Sequence, residues 1–192
     1  LLASSAASDV YKRQHADHMK GVHQFTRKHA VRVYATRHTA MCVQEKAPEA
    51  PWAYFEKGQS FRIGDIVITP FPTYHDAVDP VGFKFETERS SLGFISDTGQ
   101  APGCIAEYLA MVDSLVVESN YDPDMLAATP RRPWPLKQRI ASAHGHLSNE
   151  QACDLLRRIA HGALKNVVLA HLSAESNSPA LAESLMRDTL HD

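Results

Sequence analysis

The sequence predicts an α/β domain, mixed and built in layers (α+β). Three observations carry that expectation. Strand-like runs come first in pairs, Phe61-Arg62-Ile63 with Ile66-Val67-Ile68 and then Val81–Glu86 with Leu92–Ser96. Later runs, Ser114–Glu118 and Asn166–Ala170, alternate with helical stretches. Hairpins followed by strand–helix alternation argue for a layered mixed sheet rather than a purely parallel one. Finally, 192 residues with 44% apolar and 22% charged side chains suit a single globular domain with a real core.

The elements follow in order. Leu1 to Gln14, LLASSAASDVYKRQ, has no period of 2 or 3.6 and lacks the parts of a signal peptide. It reads as a non-native or disordered segment, 1–14, ahead of a domain at 15–192. Residues 17–29 suit a helix, and Val31–Ala35 a short strand. His38–Glu45 reads as a helix stopped by Pro48. Gly64-Asp65 is the turn of the first hairpin. Ala101–Ala110 is expected to be helical, and Ser114–Glu118 a buried strand. Residues 119–147, with Pro123, Pro130, Pro133 and Pro135, read as loop. Ser148-Asn149-Glu150-Gln151 is a capping box opening a helix to about His161. Ser178-Pro179 opens a last helix to about Leu190.

Composition narrows the function classes. A net charge of −2 gives no global basic field, so any nucleic-acid binding must use a local patch. The three cysteines, Cys42, Cys104 and Cys153, are scattered and odd in number, as in a reducing, cytoplasmic protein without a disulfide frame. No apolar run reaches the roughly 20 residues of a membrane span.

The chemistry-bearing residues are more specific. His15-Ala-Asp17-His18, followed by Gly21, packs two imidazoles and a carboxylate into a tight turn. Three strand-like runs also lead to ligand-type residues: Ile66–Ile68 runs on to His75, Leu92–Ser96 ends at Asp97, and Val167–Ala170 ends at His171. Residues at strand carboxyl ends gather at one edge of an α/β sheet. Imidazole with carboxylate suits zinc or a similar divalent ion.

This order of motifs resembles the metallo-β-lactamase superfamily. Local strings narrow the likeness: Phe71-Pro72-Thr73-Tyr74-His75-Asp76-Ala77, Ser96-Asp97-Thr98-Gly99, Glu118-Ser119-Asn120, Gly145-His146-Leu147-Ser148-Asn149-Glu150 and Leu169-Ala170-His171-Leu172-Ser173. They resemble the WalJ/YycJ exonuclease branch, over roughly residues 15–190. The resemblance implies a four-layer αββα sandwich, here expected to be truncated and missing its first strands, and a 5′-to-3′ exonuclease using a dinuclear, metal-activated hydroxide. It implies two divalent ions, Zn²⁺ with Mn²⁺ as the second choice. One would be held by His15, His75 and a bridging Asp97, the other by Asp17, His18, His171 and the same Asp97. The family's H-x-H-x-D-H motif would begin at Arg13, and a guanidinium, always protonated, cannot ligate. His146 takes the place of a general acid or phosphate-binding histidine in the related tRNA-processing enzymes, and with Asp17 makes up the expected catalytic pair.

Residues 125–149 contain no acid but hold Arg131, Arg132, Lys137 and Arg139, with Trp134 among them. Together with Asn120 and His144 they form the expected substrate-binding set, suited to a phosphate backbone. A solvated loop is the alternative. Hydrolysis of a thioester or lactone on the same fold also stays open, as does a non-catalytic remnant if Arg13 is native.

Overall fold

The computed structural model describes residues 21–44 and 47–191. Arg13, His15, Asp17 and His18, and the segment 1–14, lie outside them.

The described chain divides into two compact units. The first comprises residues up to 57 together with 77–79. It holds helix α1 (Val22–Lys28), strand β1 (Val33–Ala35), helix α2 (Arg37–Gln44) and strand β2 (Trp52–Tyr54). β1 and β2 pair in parallel, Val33 opposite Trp52. Val43, Ala47 and Ala50 form a small core here. Asp79, in the left-handed region at φ 51°, accepts from Lys57 Nζ at 2.8 Å, Thr36 Oγ1 at 3.0 Å and His38 Nδ1 at 2.7 Å. The Lys57 ammonium is the chief cause that holds its carboxyl below the usual range.

The second unit, residues 58–76 and 80 onward, is built on a six-stranded sheet. Its strands are β3 (Phe61–Ile63), β4 (Ile66–Pro72), β5 (Val81–Glu86), β6 (Ser91–Ile95), β7 (Ser114–Glu118) and β8 (Asn166–Ala170), and they lie in sequence order. Pairing is antiparallel from β3 to β6 and parallel from β6 to β8. The switch falls where helices begin to cross between strands. Helix α3 (Gly103–Leu109) joins β6 to β7. Helices α4 (Pro123–Ala128), α5 (Trp134–Ile140) and α6 (Asn149–Ile159) lie between β7 and β8, and α7 (Pro179–His191) follows. Since β5 runs against both β4 and β6, the strands β4, β6, β7 and β8 all point the same way. Their carboxyl ends therefore share one edge.

One face of this sheet is buried under helices. Phe71, Ile95, Leu115 and Val117 pack with Ile105 and Leu109 of α3, Leu155 and Leu156 of α6 and Met186 of α7. Each such side chain contributes about 1.5–3 kcal/mol by leaving water. The opposite face carries a row set by register, Phe83, Phe94, Val116 and Val168, in which Phe94 is 38% and Val168 52% exposed.

The capping box forms as expected: Ser148 Oγ accepts from Gln151 N, and Gln151 Oε1 accepts from Ser148 N at 2.8 Å. The stretch 119–147 differs from expectation, because two short helices replace part of the loop. Asp122 caps α4 by accepting from Met125 N at 2.9 Å, with Pro123 in the first turn. α5 likewise takes Pro135 in its first turn. A proline there loses no hydrogen bond, because the first amides of a helix have no partner anyway. The three thiols are all free, with Cys153 buried, Cys42 half-buried and Cys104 exposed.

Candidate metal centre

Four of the ordered elements deliver polar side chains to the shared edge. His75 follows β4, Asp97 follows β6, Glu118 ends β7 and His171 follows β8. His146 arrives on the loop before α6. Asp97 and His171 both have left-handed backbone, at φ 51° and 56°. Such residues turn the chain sharply out of a strand, at a cost of about 1–2 kcal/mol each, and they cluster at functional sites.

The His75 side chain is 3% exposed, and its Nδ1 donates to the Gly145 carbonyl at 2.8 Å. That bond fixes the tautomer, with the proton on Nδ1 and Nε2 as the basic nitrogen. Nε2 lies 3.7 Å from Asp97 Oδ1 and 3.5 Å from Asp76 Oδ1. Burial is the main cause that lowers the His75 pKa, against the pull of Asp97, and keeps the ring neutral. A neutral imidazole is the form a metal needs.

Glu118 is the centre of the arrangement, and its side chain is fully buried. Its Oε1 accepts from Nδ1 of both His146 and His171 at 2.7 Å. Its Oε2 accepts from the Thr98 amide at 3.0 Å and the Leu147 amide at 3.4 Å. Burial alone pushes this carboxyl up, yet the two imidazole bonds outweigh it and the group is held below its usual range. The 2.7 Å spacing is that of charge-assisted hydrogen bonds. Glu118 thus orients the two rings through their Nδ1 atoms. Asp97 Oδ1 lies 3.6 Å from each Nδ1. Ring centroids stand 5.0 Å apart for His75 and His146 and 5.1 Å apart for His146 and His171.

Ligand atoms of Asp97, Glu118, His146 and His171 all lie within 4.8 Å of one another. Imidazole and carboxylate together form a donor set that fits a divalent ion such as zinc or manganese. Two glycines make the crowding possible. A Cβ on Gly99 would run into the backbone of Ser142, Ala143 and Gly145, and one on Gly145 into the carbonyls of Arg139 and Ile140. Bare backbone there lets the turn after Asp97 close on the loop that carries His146.

Asn120 Nδ2 donates to the His171 carbonyl at 2.7 Å and so steadies the exit from β8. Beneath it, Ser119, Asn149 and Asn177 form a buried network: Ser119 Oγ donates to Asn149 Oδ1 at 2.6 Å, and Asn177 Nδ2 donates to the Ser119 carbonyl at 2.7 Å. It fastens the start of α6 to the segment after β8.

The structure therefore brings together His75, Asp97, His146, His171 and Asn120 from the expected set. Glu118 joins them as a residue that sequence reasoning passed over. A signal existed: an acid ending a buried strand must find partners. The basic stretch is scattered. Arg132 lines a cleft of about 410 Å³ with Asn120, His146, His171, Ile140, Leu172, Ser173 and Glu175. Its Nε donates to Glu175 Oε2 at 3.2 Å. Arg131 is 79% exposed and lies 3.7 Å from Glu175 Oε1. Arg139 is paired with Asp76, and Lys137 Nζ donates to the Ala127 carbonyl at 2.6 Å at the end of α4. The His144 side is exposed, and its carbonyl accepts from the Asp76 amide at 3.0 Å.

Comparison with known proteins is consistent with this geometry. The family described as beta-lactamase superfamily domain matches residues 10–172. An exodeoxyribonuclease WalJ of Streptococcus pneumoniae is 33% identical over 182 residues, which is 92% of this chain and 67% of that protein. An exodeoxyribonuclease YycJ of Bacillus anthracis is 31% identical over 182 residues, covering 93% of this chain and 69% of that protein. In structure, the metallo-beta-lactamase fold protein YhfI from Bacillus subtilis superposes with a TM-score of 0.69 at 16% identity, over 93% of this chain and 69% of that one.

Proposed function

The chain belongs to the beta-lactamase superfamily domain family, and from that premise we propose that it is a metal-dependent nuclease acting as an exodeoxyribonuclease. The observation that carries the reading is the cluster of imidazoles and carboxylates at the carboxyl edge of the sheet, on a chain about one-third identical to exodeoxyribonucleases. No helix among the described residues is long and apolar enough to cross a membrane.

On this reading His75, Asp97 and His171 would hold divalent metal, zinc or manganese. His15, Asp17 and His18, the other expected ligands, lie outside the described residues. A divalent ion held there would supply Lewis acidity and a nucleophilic water near neutral pH. His75 offers Nε2 because Gly145 occupies its Nδ1. His171 is aimed by Glu118 and held at its carbonyl by Asn120. His146 is the proton-carrying residue. Glu118 accepts from its Nδ1, so in the imidazolium form the second proton sits on Nε2, from which it can pass to the leaving oxygen and leave the ring neutral. Arg132, on the same cleft as His146 and His171, binds backbone phosphate.

The deciding experiment uses end-labelled single- and double-stranded DNA, with and without a 5′ phosphate, in zinc or manganese. Stepwise loss of nucleotides from one end, abolished by chelator and restored by metal, is expected. Turnover of a lactone or thioester without cleavage of any nucleic acid would replace this reading with a small-molecule hydrolase.

A further inference from the structure

The cleft beside His146 and His171 contains its own carboxylate. Glu175 Oε2 accepts from Arg132 Nε at 3.2 Å, while Glu175 Oε1 lies 3.7 Å from Arg131 Nη1. The acid is held in place by a turn built on one hydroxyl. Ser173 Oγ accepts from the amides of Glu175 and Ser176 at 3.4 and 3.1 Å and from Arg132 Nη2 at 3.2 Å. The Ser173 amide donates to the Asn120 carbonyl at 2.8 Å, so the turn is anchored to the exit of β7. The Arg132 and Glu175 side chains are 25% and 37% exposed, open to the cleft rather than sealed.

Resting on the nuclease reading above, we infer that this cleft seats the nucleotide next to the scissile bond, and that Glu175 is a resident carboxylate which the substrate's phosphate must displace from Arg132. Three features converge. The volume of about 410 Å³ falls in the range of small-ligand pockets. Its walls join apolar Ile140 and Leu172 to one guanidinium fork, which is what a nucleoside with an attached phosphate presents in reverse. The fork is already engaged by an anion of carboxylate geometry. An ion pair this exposed is weak, whereas a phosphate on a guanidinium makes charge-assisted, often bidentate bonds. Glu175 therefore acts as a gate. It neutralises Arg132 in the empty cleft and yields only to a stronger, doubly bonding anion.

The test uses the full chain loaded with metal, and 5′-labelled single-stranded DNA as the probe. Glu175→Gln keeps the size of the side chain and removes its charge. Its KM for DNA is expected to fall about two- to fivefold, the scale of a weak exposed pair, with the change in KM rather than kcat. Arg132→Gln is expected to raise KM and to flatten the salt dependence of binding by about one counterion. The double variant is expected to match Arg132→Gln, because Glu175 acts through that arginine. A Glu175→Gln protein whose KM is unchanged or raised, with a lowered melting temperature, makes Glu175 a strut of the turn and overturns the gate. A wild-type protein that cleaves no DNA overturns the nuclease reading itself, and the inference with it.

Discussion

Strand β7 begins just after Asp113 and ends at Glu118, and each carboxylate ties together the same three strands. At the amino end, Asp113 Oδ2 accepts from the Ser91 amide at 2.7 Å and the Ser91 hydroxyl at 2.9 Å, where β6 starts. Its Oδ1 accepts from Lys165 Nζ at 2.8 Å, one residue before β8. At the carboxyl end, Glu118 reaches Thr98 beyond β6, His171 beyond β8 and His146. The two differ in what remains on their partners. Of the donors on Asp113, the amide and the ammonium have no lone pair to offer a metal, and the Ser91 hydroxyl oxygen already accepts from the Asp113 amide at 3.0 Å. The donors on Glu118 are imidazoles, a type of group whose second ring nitrogen can ligate a metal or carry a proton. A strut and a reaction centre can thus share one design, and the chemistry of the donor groups separates them.

The sharpest way to break this contrast is to remove each acid. Glu118→Ala strands two imidazoles around a buried gap. It is expected to cost about 3–5 kcal/mol, as broken buried pairs do, and to abolish DNA cleavage. Asp113→Asn is expected to leave cleavage intact. Melting curves and turnover on both variants decide the matter, and equal losses from the two would erase the distinction. Next in size, His146→Ala is expected to lower turnover by about 10²–10⁴-fold with DNA affinity nearly kept. Loss of binding in step with turnover would recast His146 as a phosphate ligand.

The smallest effects come from pH, measured on chelated protein. Burial depresses the His75 pKa below 6.5, so the unfolded chain takes up a proton that the folded chain refuses. Stability is therefore expected to fall as pH drops below 6.5, and His75→Gln should remove that limb. Asp113 is lowered to about 2 from 3.8, chiefly by Lys165. Its contribution is full above 3.8 and lost as pH falls toward 2. The reaction edge should weaken first on acidification and the strut last. Lys165→Met should shrink only the acid limb.

Much of this edge was legible in the sequence, for a local reason. His75, Asp97 and His171 each come after an apolar run, so strand ends could be read from one-dimensional pattern. Glu118 was not picked out because it is the last residue of its strand, and its partners come from 20 to 53 positions away. The basic stretch misled in the opposite way. It holds no acid of its own, yet Asp76 and Glu175 arrive from elsewhere to pair with Arg139 and Arg132. Charge counted along a chain does not measure charge in space. β2, Trp52–Tyr54, was not read from the sequence.

The left-handed turns at Asp97 and His171 also govern which replacements are informative. Aspartate, asparagine and histidine tolerate that conformation better than most side chains, and glycine adopts it freely. Alanine at either place deletes a donor and strains the chain together, so its phenotype mixes two causes. Asparagine at 97 removes the charge and spares the backbone, and glycine relieves the backbone while removing the side chain. The three substitutions in parallel separate the electrostatic role of Asp97 from its conformational one. The same left-handed constraint narrows the residues that the local chain can accept at these two strand exits, before any metal makes its own demands.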